Sequence, residues 1–202
     1  MKTASLDFEE KMHMQGFARV GGLDEVGRGP LAGPVCACVV VMPEGLQIAG
    51  VTDSKAVSEK RRAVLSVAIK EAAIDYALGW SDIAEIDEKN ILQATYLAMQ
   101  RALENLKSPP DALLIDGLQG KWQPDIPSIF IKKGDAASHS IAAASILAKT
   151  ARDELMLRYH DEYPQYGFDK HKGYGTAKHL AAIREFGVCA IHRRSFLKKV
   201  HI

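Results

Sequence analysis

Apolar residues recur along this chain in short runs and helical stripes that predict alternating strands and helices. A strand from about Phe17 to Asp24 stops at the turn Gly27-Arg28-Gly29-Pro30. Val35 to Met42 is continuously apolar, rich in β-branched residues and bounded by prolines, as a buried strand should be. Ser58 stands where a cap is expected for a helix running to about Asp75, and Tyr76 to Trp80 suits a short strand. Ile91, Leu92, Tyr96, Met99, Leu103 and Leu106 keep helical spacing until Pro109-Pro110 ends the stripe. Two further strands are expected, Ala112 to Ile115 ending at Asp116, and Ile129 to Ile131. An Ala-rich helix spans about Ser140 to Tyr159. Tyr163 to Gly175 mixes aromatics, bases and glycines without a period, which predicts a functional loop. Thr176 is placed to cap a last helix ended by Gly187. The pattern is that of an α/β domain, residues 1–160, with a small helical segment at 161–202 in the same compact unit.

Composition narrows the class. The 202 residues are 47% hydrophobic and 25% charged, ordinary for a globular protein, with no repeat or low-complexity tract. No apolar run is long enough to span a membrane, and Met1 to Arg19 lacks the apolar stretch of a signal peptide. Three cysteines cannot complete a disulfide framework, so a reducing, cytoplasmic setting is expected. The net charge of +1 conceals an asymmetry. Acids outnumber bases in residues 1–120, bases outnumber acids in 121–202, and six of the seven histidines lie in the second part. A basic third beside an acidic front suits a polyanion held over a carboxylate site.

Four acids stand where apolar elements stop. Asp24 and Glu25 close the first strand, Asp116 closes another, and Asp135 follows Lys132-Lys133-Gly134 at the mouth of the Ala-rich helix. Acids at strand ends tend to converge on one sheet edge, where they repel unless a cation neutralises them. With only oxygen donors evident, the cation should be hard, Mg²⁺ or Mn²⁺. A pair of such ions about 4 Å apart is a general arrangement for phosphodiester hydrolysis. Taken singly, each acid is better read as a turn residue or a helix cap; it is all four standing at element ends that points to a site. The turn from Gly27 to Gly33 spaces its glycines as G-x-G-x-x-x-G, which is not the dinucleotide fingerprint. Its glycines do let backbone approach a ligand closely.

Taken in order, these segments resemble the ribonuclease HII family over nearly the whole chain. The resemblance rests on Asp24-Glu25-Val26-Gly27-Arg28-Gly29-Pro30-Leu31-Ala32-Gly33-Pro34, Asp53-Ser54-Lys55 with Ser58-Glu59-Lys60-Arg61, Asp116-Gly117 and Lys133-Gly134-Asp135. Further along it rests on Tyr166-Gly167-Phe168, His171-Lys172-Gly173-Tyr174-Gly175-Thr176 and His192-Arg193-Arg194-Ser195-Phe196. It implies an RNase H-like mixed sheet flanked by helices, with a C-terminal helical segment that grips the duplex. It implies that Asp24, Glu25, Asp116 and Asp135 are catalytic metal ligands. Gly27, Arg28 and Gly29 would read the 2′-hydroxyl side of the junction through their backbone, and Tyr174 would stack on the deoxyribose 3′ of the cut. Such a protein cuts RNA–DNA hybrids, and duplex DNA 5′ of an embedded ribonucleotide, leaving 3′-hydroxyl and 5′-phosphate ends. Ala56-Val57 departs from the base and leucine expected there. The chain shows no evident tail for docking a partner after Phe196, so no obligate protein partner is expected; nothing signals an oligomer, and a monomer is the default expectation.

Lys55, Lys170, Lys172, Arg193 and Arg194 are candidate phosphate contacts, Lys55 and Lys172 foremost. His171 suits a structural hydrogen bond, Trp80 and Trp122 the core, and Asp53, Asp87 and Asp153 caps or ion pairs. Two other functions compete. A hybrid-binding protein without activity predicts the loss of a carboxylate, yet all four are present. A phosphatase for small substrates has no need of the basic, tyrosine-bearing loop.

Overall fold

The computed structural model describes residues 3–198. In chain order the elements are α1 (Asp7–Met14), β1 (Val20–Val26), β2 (Val35–Val41), α2 (Glu59–Ala72), β3 (Asp75–Ser81), α3 (Ile83–Lys89) and α4 (Ile91–Glu104). Then come β4 (Ala112–Asp116), β5 (Ser128–Ile131), α5 (Gly134–Ala137), α6 (His139–Glu162), a 3-10 turn (Pro164–Tyr166), α7 (Phe168–His171), α8 (Ala177–Phe186) and α9 (Arg194–Leu197).

The strands form one mixed sheet in the order β3-β2-β1-β4-β5. β1, β2 and β3 pair antiparallel, whereas β4 and β5 run parallel to β1. The central strands are buried on both faces, so their side chains alternate between two apolar layers. Cys36, Cys38 and Val40 pack with α2 and α6 on one face. Leu23, Val35, Ala37 and Val39 pack with α4 on the other. Both helices sit directly on the sheet because a glycine makes room for each. A Cβ on Gly22 would lie 2.1 Å from the Ser140 carbonyl carbon at the start of α6, and one on Gly79 would lie 2.0 Å from the Ala98 oxygen of α4.

Several expectations need correction. β1 begins at Val20 rather than Phe17 and runs through Val26, so Asp24 and Glu25 lie in its last turns of pleat rather than beyond it. α2 stops at Ala72, and Ser58 occupies its N-cap position without a side-chain capping bond. α4 ends at Glu104, before the prolines. The 163–175 loop contains a 3-10 turn and α7, and α8 is not the last helix, since α9 follows. Thr176 does cap α8, accepting from the His179 N–H. Trp80 and Trp122 are only half-buried, at the margins of the two layers. The expectation of no docking tail falls partly on residues 199–202, outside the described residues.

Candidate active site

Parallel pairing sets the site. The register pairs Leu23 of β1 with Ile115 of β4, so Asp24 and Asp116, the next residues, emerge at the same sheet edge. Leu23 faces α4, so Asp24 faces α6, where the Ser145 hydroxyl helps hold its carboxylate and lies 2.9 Å from the Ser54 hydroxyl, which is free to donate to it. Asp116 accepts the Gly134 N–H at 2.6 Å, which ties β4 to the start of α5 and brings Asp135 alongside. All four acids line one open cleft of about 350 Å³, together with Ser54, Lys55, Lys149 and Tyr174. A larger hollow of about 460 Å³, lined by Thr52, Asp53, Arg61 and Ala136 among others, holds none of the four.

The charge of the cleft's carboxylates is only partly offset by the bases beside them. Asp24 is 5% exposed, and burial, then Glu25 and Asp116, push its pKa well above the usual carboxylate range. Burial also raises Glu25, with Asp116 adding to it and Arg28, 3.3 Å from its carboxylate, opposing. Asp135 is raised by burial, then by Asp116 and Asp53, against Lys55. Burial disfavours the Lys55 ammonium, yet Asp135, Asp53 and Asp24 outweigh it and hold its pKa up. Crowded, partly buried carboxylates of this kind call for a cation. Among the described residues no three acid, histidine or cysteine side chains already close into a ligand cage. A hard cation of the Mg²⁺ type takes one or two carboxylates and completes its shell with water and phosphate. The donor set is all oxygen, so the residues present suit such an ion.

The opposite wall is built from the glycine turn and Tyr174. Arg28 and Gly29 are exposed, and Tyr174 is 43% exposed. A Cβ on Gly29 would meet only the Tyr174 ring, at an ordinary 3.5 Å. Gly29 is therefore not required by packing, and its bare backbone fronts the tyrosine. Gly27 differs, because a Cβ there would lie 2.3 Å from Arg152 Nε at a φ of +97°.

The basic candidates divide. Lys55 joins the cleft, as does Arg28 through Glu25. Lys170 is exposed and pairs with Asp169. Lys172 is not brought into the cleft: it is buried, at φ +49°, and its ammonium is turned onto the Asp169 carbonyl. Arg193 is likewise buried and donates only to backbone carbonyls. The Arg194 and Ser195 N–H groups are held by Asp87, which caps α9. Asp153 pairs with Arg62 and Lys149, and Asp53 accepts the Lys55 N–H in a turn. His171 bonds the Tyr166 carbonyl, a structural role. Sequence reasoning missed Ser145, Arg62 and Arg152. Arg62 donates to the Ser54 and Val57 carbonyls and so supports the loop that carries Lys55.

A relay of buried histidines backs the tyrosine. The Tyr174 carbonyl can only accept, so His179 Nδ1 carries a proton toward it (2.9 Å), leaving Nε2 to accept from His192 Nε2–H (3.0 Å). His192 Nδ1 then accepts the Cys189 N–H at 2.9 Å. The chain of bonds closes only when both rings are neutral. Burial pushes both pKa values down to about 4.

A mixed sheet with helices on both faces and acids converging at its central strand ends defines an RNase H-like nuclease. Comparison with known proteins makes this particular. The family model of ribonuclease HII matches residues 21–199. Ribonuclease HII of Geotalea uraniireducens is 52% identical over 191 residues, spanning 95% of this chain and 88% of that protein. The ribonuclease H2 structure from Pyrococcus horikoshii OT3 superposes with a TM-score of 0.74 at 26% identity, over 88% of this chain and 93% of that one. Bst-RNase HIII in complex with Mn²⁺ shares the fold, with a TM-score of 0.62 at 19% identity, over 87% of this chain and 65% of that one. The chain belongs to the ribonuclease HII family, metal-dependent endoribonucleases that act on the RNA of RNA–DNA hybrids and at single ribonucleotides.

Proposed function

We propose that Asp24, Glu25, Asp116 and Asp135 hold two divalent ions, Mg²⁺ or Mn²⁺, and that the cut falls on the 5′ side of a ribonucleotide. The observation that carries this reading is their convergence from β1, β4 and α5 on one cleft, where crowding and burial raise the pKa values of Asp24, Glu25 and Asp135 despite the nearby Lys55 and Arg28. The Mn²⁺ complex of the RNase HIII neighbour supports an ion of this class. Held by these four carboxylates, such ions would supply Lewis-acid chemistry for phosphodiester hydrolysis, with 3′-hydroxyl and 5′-phosphate ends as products.

The chain's own residues position the reactants. Ser145 and the Glu25 N–H hold the Asp24 carboxylate, and the Gly134 N–H fixes that of Asp116. The backbone of Gly27, Arg28 and Gly29 meets the ribose at its 2′-hydroxyl, the group that distinguishes RNA from DNA. The Tyr174 ring lies against the next sugar and disfavours a second hydroxyl there. Lys55 contacts a phosphate. Lys172 supports this wall through its backbone, its carbonyl accepting from Arg152. Residues 161–202 act with the core as one unit, Ala32 packing into the same cluster as Tyr166, Phe168 and Ile183. Among the described residues no helix is long and apolar enough to cross a membrane, and the free, buried Cys36 and Cys38 suit a reducing cytoplasm. The protein acts as a monomer.

The test is cleavage of an end-labelled DNA duplex carrying one ribonucleotide, with Mg²⁺, Mn²⁺ or EDTA. A metal-dependent cut 5′ of the ribonucleotide, lost in Asp116→Asn, is expected. Tight binding without a cut in either metal would replace this reading with that of a hybrid-binding protein.

A further inference from the structure

Arg152 and Arg193 are the two largest fully buried side chains, at 0% exposure, and neither contacts a carboxylate. Instead each guanidinium donates to three backbone carbonyls. Arg193, at the edge of α9, binds the oxygens of Gly27 (2.6 Å), Arg28 (3.1 Å) and Gly33 (2.8 Å). Arg152, on α6, binds those of Ala32, Pro34 and Lys172, each at 3.0 Å. Only a guanidinium offers donors fanned widely enough to hold three carbonyls at once.

In a trans peptide the C=O of one residue and the N–H of the next point in opposite directions. Each carbonyl pulled onto an arginine therefore drives an N–H outward, and the destination of each N–H can be followed. The Gly33 N–H reaches the Ile191 carbonyl at 2.9 Å. The Gly173 N–H meets His171 Nδ1 at 3.3 Å. Pro34 has no N–H to place, and Val35 opens strand β2. The two that remain are the N–H groups of Arg28 and Gly29. Among the described residues nothing accepts from either, and both residues are exposed on the wall that faces Tyr174.

We infer that Arg193, backed by Arg152, is a positioning residue for ribose recognition: it turns the 27–28 and 28–29 peptides so that their two N–H groups face the 2′-hydroxyl pocket. This rests on the reading of Gly27 to Gly29 as the ribose-contacting backbone. A turn needed only for chain reversal gains nothing from two unpaired charges buried behind it, since glycine and proline make such turns unaided. Arg193 is the more telling of the two, because two of its three acceptors are the very carbonyls whose peptides carry the unsatisfied donors. It also explains why Gly27 lacks a side chain: Arg152 fills the space a Cβ would need.

The experiment compares Arg193→Lys with Arg193 itself, both in the Asp116→Asn background that leaves substrate uncut. Affinity is measured for a DNA duplex with one central ribonucleotide and for its all-DNA counterpart. The ratio of the two affinities is independent of how much protein is folded, so a merely structural defect does not move it. Arg193→Lys keeps the charge but not the fork, and the ribonucleotide preference is expected to fall by roughly tenfold with all-DNA binding unchanged. An unchanged preference overturns the inference. No preference even with Arg193 present overturns the underlying reading of the turn instead. Should Arg193→Lys not fold, the unsubstituted protein supplies a second readout by NMR. The Arg193 guanidinium protons should exchange far more slowly than those of exposed Arg61, and the Arg28 and Gly29 amide signals should move with the ribonucleotide duplex but not with all-DNA. Fast Arg193 exchange, or amides that respond equally to both duplexes, contradicts the inference.

Discussion

The two walls of the cleft solve opposite electrostatic problems. On one, Asp24, Glu25, Asp116 and Asp135 crowd negative charge that Arg28 and Lys55 only partly offset. On the other, Arg152, Arg193, His179 and His192 are buried without any carboxylate and are satisfied by backbone carbonyls and by one another. On the proposed reading, the acidic wall is completed by cations. The basic wall is complete, and its order is spent on aiming a peptide and a tyrosine. A site that must bind metal and recognise a sugar thus keeps the loose charges and the fixed geometry on separate elements.

Breaking the packed wall should produce the largest effect on stability. Gly27→Ala forces a Cβ to 2.3 Å from Arg152 Nε at a φ of +97°, and should cost about 3 kcal/mol or more. Chemical denaturation measures this, and a loss below about 1 kcal/mol would show that the Arg152 clamp yields easily.

Taken group by group, acid should come next. His139, His179 and His192 all have pKa values pushed down to about 4 by burial. The native state therefore refuses protons that the unfolded chain accepts below about 6.5, so stability falls progressively from there to about pH 4. At pH 5 the loss is up to about 2 kcal/mol per histidine, each equivalent to a fall in Tm of about 4–8 °C. The raised carboxylates respond in the opposite sense, so Asp24→Asn should make the acid-side fall steeper. A melting temperature that stays level between pH 7 and 5 in both proteins would refute the neutral relay.

Relieving the crowded wall is worth less. In metal-free solution at pH 7, Asp24→Asn should raise stability by about 1 kcal/mol while abolishing cleavage, a pairing that distinguishes charge repulsion from a structural role. A destabilised Asp24→Asn would mean that the carboxylate is held by its bonds more than it is strained. The smallest effect on folding belongs to Gly29→Ala, within about 0.5 kcal/mol, because its Cβ meets nothing closer than the Tyr174 ring at 3.5 Å. Its cleavage of a ribonucleotide-bearing duplex should nonetheless drop by about tenfold or more. If activity survives, the sugar does not approach Gly29.

The strands and the acids were legible because their signals are local. Val35 to Val41 is apolar throughout, and Asp116 directly follows Ile115 in a run with no polar residue. What stayed hidden is instructive. α3 is seven residues long and buries only Ile86, too little for a stripe, although Asp82 and Glu85 form a capping box that sequence spacing does announce. α1 was missed because it is mostly polar; its buried Glu9 accepts from Ser138 and from the Ser140 N–H at the start of α6. Arg193 and Lys172 suggested phosphate contacts because arginines and lysines are rarely buried, yet here both are. Their partners are backbone carbonyls, which every residue has, so no residue-type pattern could reveal them.

The division of labour between the walls is tested most directly by calorimetric titration of Mn²⁺ into the free protein, its Asp24→Asn variant and its Gly29→Ala variant. Asp24→Asn should lose or greatly weaken Mn²⁺ binding, and Gly29→Ala should bind it as the unsubstituted protein does. Equal binding by Asp24→Asn, or equal weakening by Gly29→Ala, would contradict the separation of metal from sugar recognition.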